Sequence, residues 1–466
     1  MNELAVSVGV FTIIALIYWR YESVFCLPFF WAAEFAFLYL GLLQIHAQFG
    51  GSSYIYAAIG FAVYYLGLRA VDLFDFHRAS SDRRQGKSHA SCSTERQQAS
   101  NSTRKHQPVS INLLFPSLPL KVGLFVSIAG ATVVSFIFFA QNGIPILSSF
   151  PAMAWIQATS GIVNRLMTVF GPGCFASLAL VAWGIHRKSG SRAALALMYV
   201  GLGLAILTQA LLASKAAAIM VFIWFNIMLF YLDKKRDFRK SVLPLILVVV
   251  PVSAAIVAVR LMSSQGYWEA GSIYQTYYQR LTTTSAEPMD FVFKYMDRFG
   301  PMHGRALRRE VGRIREQLTG GTKTPILSEF VYDLMAYQST NETGLSASLT
   351  LGGTGYVEWG FIGLLLYSFV QGLGFGWIHR YLVHQEKMNI IVLVFWGAIV
   401  NYLLAVSGSG TILVGLESVV LSVLPPLIFL FPFCFLFLLP LAKKYGAFPH
   451  RGISSIAKGE RRWIRN

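Results

Sequence analysis

Repeated runs of about 20 residues without any Asp, Glu, Lys or Arg constrain this chain more than any other feature. Leu4–Trp19, Val122–Ala140, Ala193–Leu212, Ala216–Leu232 and Val242–Val259 are such runs. An α-helix needs this length to cross the hydrocarbon layer, and it satisfies its own backbone hydrogen bonds where lipid cannot. A transmembrane barrel needs polar and apolar residues to alternate over short segments, and these Leu, Ile, Val and Phe runs do not alternate. The expected fold class is all-α: a polytopic transmembrane helical bundle of about 11 spans, with a large external loop that contains short amphipathic helices.

The formal net charge of +17 comes from basic residues that lie mainly between the apolar runs. That is the pattern of cytoplasmic loops, so a lipid bilayer is the expected environment and no nucleic-acid partner is expected. Cys26, Cys92, Cys174 and Cys434 form no CxxC pair, which argues against a disulfide framework and against a zinc site.

Charge punctuation divides the chain. Residues 1–72 hold spans 1–3, with Arg20 ending the first span on the cytoplasmic side and the N-terminus outside. The second span carries Glu34, a carboxylate at depth for which structural pairing is the favoured role. Residues 73–121 are hydrophilic and offer few large apolar side chains until Leu113, so they are expected to be a largely disordered cytoplasmic loop. Residues 122–261 hold spans 4–8, residues 352–442 hold spans 9–11, and the basic tail 443–466 stays inside.

Residues 262–351 form the large external loop, which carries nine Lys/Arg and nine Asp/Glu between Met262 and Leu351. This balance sets it apart from the basic segments placed inside. Ser285-Ala286-Glu287-Pro288 has the composition of a helix start. Phe291, Tyr295 and Phe299, then Leu307, Val311, Ile314 and Leu318, have helical spacing. Two short amphipathic helices are expected, broken near Gly300-Pro301, along the membrane surface or over a cavity.

No Walker A loop, HExxH, GxSxG or CxxC is present, and no metal-ligand cluster or cofactor motif stands out. Cations gather instead on the expected outer side: Arg165, Lys215, Arg260, Arg280 and the series from Arg298 to Arg315. Charge bias works against cations in short external loops, so Arg165, Lys215 and Arg260 call for a reason. A phosphorylated lipid supplies one, because Arg forks match pyrophosphate oxygens and stabilise charge developing on a leaving group. Snorkelling at a span end is the competing role. Glycosyl transfer also needs a base near the acceptor hydroxyl, and the candidates are Glu358, Glu342, Asp333, Glu329 and His303. Glu358 lies about one turn inside the ninth span, where it must face a cavity or a cation. Its alternative role is to orient an Arg. Gly352, Gly353, Gly355, Gly360 and Gly363 allow close helix packing.

Three segments carry a family resemblance. Asn341-Glu342-Thr343-Gly344-Leu345 precedes a Gly353, Tyr356, Trp359, Gly360, Gly363 helix start; Gly143-Ile144-Pro145 is followed by Arg165; and Ala213-Ser214-Lys215 opens the seventh span. Together they resemble the Wzy-type polymerases of bacterial surface polysaccharides, with Lys215 where that family usually has Arg. The resemblance implies a helical transferase bundle in the inner membrane whose periplasmic loop closes over a lipid-linked substrate. The implied reaction moves a growing glycan from undecaprenyl pyrophosphate onto an incoming lipid-linked repeat unit, without a metal or other cofactor. A chain-length regulator protein is an implied partner. The roles implied are catalysis at Glu358, Arg280 and Arg260, and pyrophosphate or glycan binding at Arg165, Lys215, Arg298, Tyr356 and Asn341. O-antigen ligases share the architecture and usually rely on a loop His, which would be His303. A lipid-linked oligosaccharide flippase or transporter is the rival from a different class. Convergence of Arg165, Arg260, Arg280 and Glu358 on one outward cavity would separate transfer chemistry from both a transporter and a scaffold.

Overall fold

The computed structural model describes residues 3–21, 23, 25–86, 109–113, 117–147, 167, 171–212, 215–233, 283–319, 324–336, 349–413, 416 and 420. These residues are mostly helical. In chain order the elements are α1 (Glu3–Tyr21), α2 (Leu27–Phe49), α3 (Ser53–Gly86), β1 (Ser110–Asn112) and α4 (Ser117–Asn142). Then come α5 (Pro172–Ser189), α6 (Arg192–Leu211), α7 (Lys215–Leu232), α8 (Thr283–Phe299), α9 (Arg305–Thr319) and α10 (Leu327–Ala336). The last three are α11 (Leu351–His384), β2 (Lys387–Asn389) and α12 (Ile390–Ser409). Among the described residues six helices are long and apolar enough to cross a membrane, namely α1, α2, the 53–73 part of α3, the 117–147 segment, α6 and α11. The apolar parts of α7 and α12 are shorter. The expected eighth span, most of the eleventh and the basic tail lie outside the described residues.

The bundle has two chemically distinct ends. At one, Arg20 and Arg69 both pair with Asp72, Arg187 pairs with Asp233, and Arg380 donates to the Val71 carbonyl. We refer to it as the basic end. The same end holds a two-stranded parallel sheet in which Ile111 of β1 pairs with Met388 of β2. Within the segment expected as a largely disordered loop, 73–121, α3 continues helical to Gly86 and 110–112 find a partner nearly three hundred residues downstream, while 87–108 and 114–116 lie outside the described residues. Sequence composition measures what a segment can bury, not the edge it can pair with.

At the other end α8, α9 and α10 form a cap. The break expected between the first two falls at Gly300 and Gly304, both with left-handed backbone (φ 74° and 84°). The third cap helix, α10, has no counterpart in the sequence reading. Met289, Val292, Phe293 and Met296 form the buried face of α8. Asp290 on that face accepts the Ser53 hydroxyl at 2.6 Å and the Lys294 ammonium at 2.7 Å, which pins the cap to the first turn of α3. Asp290→Ala is expected to cost about 1–3 kcal/mol, because Ser53 is then left buried with no partner. Thermal melts of D290A, S53A and the double variant check this. Additive losses would show that the two side chains do not interact.

Small residues set the close contact between α3 and α11. A Cβ on Gly67 of α3 would run into the Phe369 carbonyl of α11, and one on Gly372 into the Tyr64 carbonyl. Only glycine lets two helix backbones approach so closely, and such approach is how helices associate where lipid provides no hydrophobic drive. Trp31, Phe35, Phe61 and Tyr64 pack beside this contact, with Phe35 and Phe61 stacked at 4.3 Å.

The element expected as a single ninth span is a helical hairpin. Trp359 (φ −136°, ψ 17°) and Gly360 (φ 63°, ψ −145°) interrupt α11. Gly355 and Gly363 then lie backbone against backbone, and Gly352 sits beside Ser368. In a straight helix eight residues would separate Gly355 from Gly363 by about 12 Å. The short arm, 351–358, therefore folds back along the long arm, 361–384. The long arm alone is long enough to span a bilayer. Sequence periodicity runs unbroken through 359–360 and cannot report the reversal. The signal available was Gly360, the residue type that tolerates this φ.

Candidate functional site

The hairpin tip and the cap are joined by reciprocal capping. Thr350 starts the short arm, its hydroxyl accepting from the Gly353 N–H at 3.1 Å. At the other end of that arm the carbonyls of Val357 and Glu358 would be left without helical partners. They accept from the N–H groups of Met302 and His303, both at 2.8 Å. The Glu358 side chain completes the exchange. Its carboxylate accepts from the Leu307 N–H at 2.8 Å and from the Gly304 N–H, and so caps the first turn of α9. An anion is favoured there because the helix dipole and the unpaired N–H groups both point at it. Glu358 is 1% exposed. The cation or cavity expected opposite it is thus replaced by two backbone donors.

Glu310, also 1% exposed, repeats the device by accepting from the N–H groups of Ile412 (3.2 Å) and Leu413 (2.6 Å). The sequence reading missed it. Glu310 stands among five arginines of α9 and reads as their ion-pair partner, whereas its acceptor role depends on backbone a hundred residues away. Thr354 ties the short arm to the same segment by donating to the Gly410 carbonyl at 2.9 Å.

The arginines of α9 divide into two sets. Arg309 lies over the Phe330 ring at 4.2 Å, and Arg313 pairs with Glu329 at 2.7 Å. Both hold α10 against α9. Arg305, Arg308 and Arg315 point outward. The Thr324 hydroxyl and N–H donate to Glu316 and hold its carboxyl below the usual range. That contribution is present at neutral pH and is lost as pH falls through the lowered value.

His303 lies in the turn between α8 and α9, against the tip. It is exposed, has a left-handed backbone (φ 51°), and its ring meets the Trp359 ring edge-on at 5.7 Å. Backbone strain at a residue other than glycine marks a position that the surroundings hold in place. Here the hold is the bond from its own N–H to Glu358. Tyr356 is buried against Phe293 and Tyr56, with ring centroids at 4.8 and 5.4 Å. Arg298 is exposed at the end of α8. Lys215 begins α7, and its side chain lies outside the described residues, as do Arg165, Arg260, Arg280 and Asn341.

Beneath the short arm a small cleft is lined by Trp31, Phe35, Phe61, Met289, Ser368 and Gln371. Neither polar atom of the Gln371 amide has a partner among the described residues, and the same holds for one oxygen of Glu34. Compared with protein-family models, with curated proteins and with solved structures, the chain gives no match.

Proposed function

We propose that this chain is an inner-membrane glycosyltransferase that joins undecaprenyl-pyrophosphate-linked oligosaccharide repeat units on the periplasmic face. In this reading the cap end faces the periplasm, the N-terminus lies on that side, and the basic C-terminal tail is cytoplasmic. Arg165, Lys215, Arg260 and Arg280 bind the pyrophosphate and stabilise the leaving group.

The observation that carries the reading is the fold of the family-like segment. Gly353, Tyr356, Trp359, Gly360 and Gly363 build a hairpin whose tip is capped into the external helices at one end of an apolar bundle. A site there meets both a lipid carrier and water. Glu358 acts as the orienting group: its two oxygens set α9 and the His303 loop against the tip, and the base is drawn from the other external residues. The left-handed, exposed His303 favours one second reading, an O-antigen ligase that uses this imidazole.

Deletion of the gene, complemented by wild type or by Arg260→Ala or Arg280→Ala, tests the proposal. Deletion and both variants are expected to leave surface glycans as single attached repeat units. Ladders of normal length from both variants would refute the cation role. Long chains that accumulate on the carrier lipid without transfer would support the ligase.

A further inference from the structure

Leu307 and Val311 read in sequence as part of the apolar stripe of an amphipathic helix. The structure turns them outward, 40% and 53% exposed, while Ala306 and Glu310 face the bundle. The exposed face of α9 therefore combines Leu307 and Val311 with Arg308 and Arg315, and Arg305 stands at its first turn. No acid shares that face: Glu310 is committed to the Ile412 and Leu413 amides, and Glu316 to Thr324. Among the described residues Arg305 and Arg308 have no ion-pair partner.

This face does not stand alone. Through Gly304 and Glu358 it adjoins the hairpin tip, where Trp359 is 49% exposed and Phe361 and Ile362 are exposed at the start of the long arm. A cationic and apolar helix face thus continues into the outward apolar surface of a membrane-length helix. Trp and Arg at such a junction are the residue types that settle at a bilayer interface, with rings at headgroup level and guanidiniums reaching phosphate.

We propose that the outward face of α9, continuous with the hairpin tip, docks on a leaflet of anionic phospholipid, with Arg305 and Arg308 binding headgroup phosphates and Leu307 and Val311 seated at the acyl boundary. Charge selects the occupant, since a zwitterionic leaflet offers these cations no net attraction. The inference requires the chain to cross a membrane and requires no particular enzyme activity.

The test is hydrogen exchange of the full chain in nanodiscs of phosphatidylglycerol or of phosphatidylcholine. Amides of residues 305–316 are expected to exchange on the order of tenfold more slowly in the anionic discs, with the difference removed at high salt. Arg305→Gln/Arg308→Gln is expected to abolish the difference while melting at the wild-type temperature. If that variant does not fold, the dependence of the wild type on lipid and salt still decides. Equal exchange in the two lipids overturns the proposal. So does equal slowing by inorganic diphosphate in phosphatidylcholine discs, which would assign the cations to a discrete phosphate site instead.

Discussion

Gly363→Ala is expected to destabilise the protein by about 3 kcal/mol or more, a large effect for one added methyl group. The reason is the neighbour it meets. A Cβ at 363 is driven into the carbonyl group of Gly355, which is backbone of the opposing arm and cannot rotate away as a side chain would. Relief requires the two arms to separate, which unseats the short arm from Ser368 and Tyr367 and withdraws Glu358 from α9. Gly355→Ala meets the reciprocal obstacle at the Gly363 carbonyl. Gly130→Ala in α4 is the control, because nothing lies within 4 Å of its Cβ and alanine is the better helix former. Thermal unfolding in detergent should rank Gly363→Ala and Gly355→Ala far below wild type and Gly130→Ala at or slightly above it. If Gly363→Ala melts with Gly130→Ala, the hairpin is wrong and α11 is one straight span.

Glu358→Ala is expected to cost about 3–6 kcal/mol. Two hydrogen bonds to a charged acceptor are lost, at roughly 1.5–3 kcal/mol each, and the Gly304 and Leu307 N–H groups lose their partner. Glu358→Gln is expected to recover only part of this. Its amide keeps one acceptor oxygen but presents a donor to the second N–H. Limited proteolysis should show new cleavage near Gly300–Gly304 in both variants, and amide exchange at Gly304 and Leu307 should accelerate. A base acting on substrate predicts a different result: Glu358→Gln would fold and melt as wild type yet form no polymer. That outcome would sink the capping role and restore Glu358 as the catalytic base.

Legibility in the sequence varies with the range of the interaction. The helical class and most described spans follow from uncharged runs, because length against hydrocarbon thickness is a local property. The cap helix break at Gly300 is legible for the same reason: a glycine beside a proline ends a helix wherever it falls. The orientation of α9 is not legible. Its periodic Leu307 and Val311 define an apolar stripe, but which stripe faces the bundle is decided by Glu310 reaching Ile412 and Leu413, and by Arg309 and Arg313 reaching α10. Glu358 stands out in the sequence as a buried carboxylate that needs a partner. Composition points to a cation, because an ion pair can be inferred from residue types, whereas backbone N–H groups of a distant turn cannot.

The uncharged runs by themselves determined that this chain is a bundle of apolar helices with an amphipathic insertion, because burying or exposing twenty uncharged residues is a choice each segment makes against its solvent. Only the tertiary structure decided that the glycine-rich segment after residue 350 folds back on itself, that its tip holds the cap through Glu358, and that Leu307 and Val311 of α9 face outward beside the arginines. Those outcomes rest on backbone groups meeting across a turn or across a hundred residues. A backbone N–H or carbonyl is the same at every position, so no residue letter records which one it will meet.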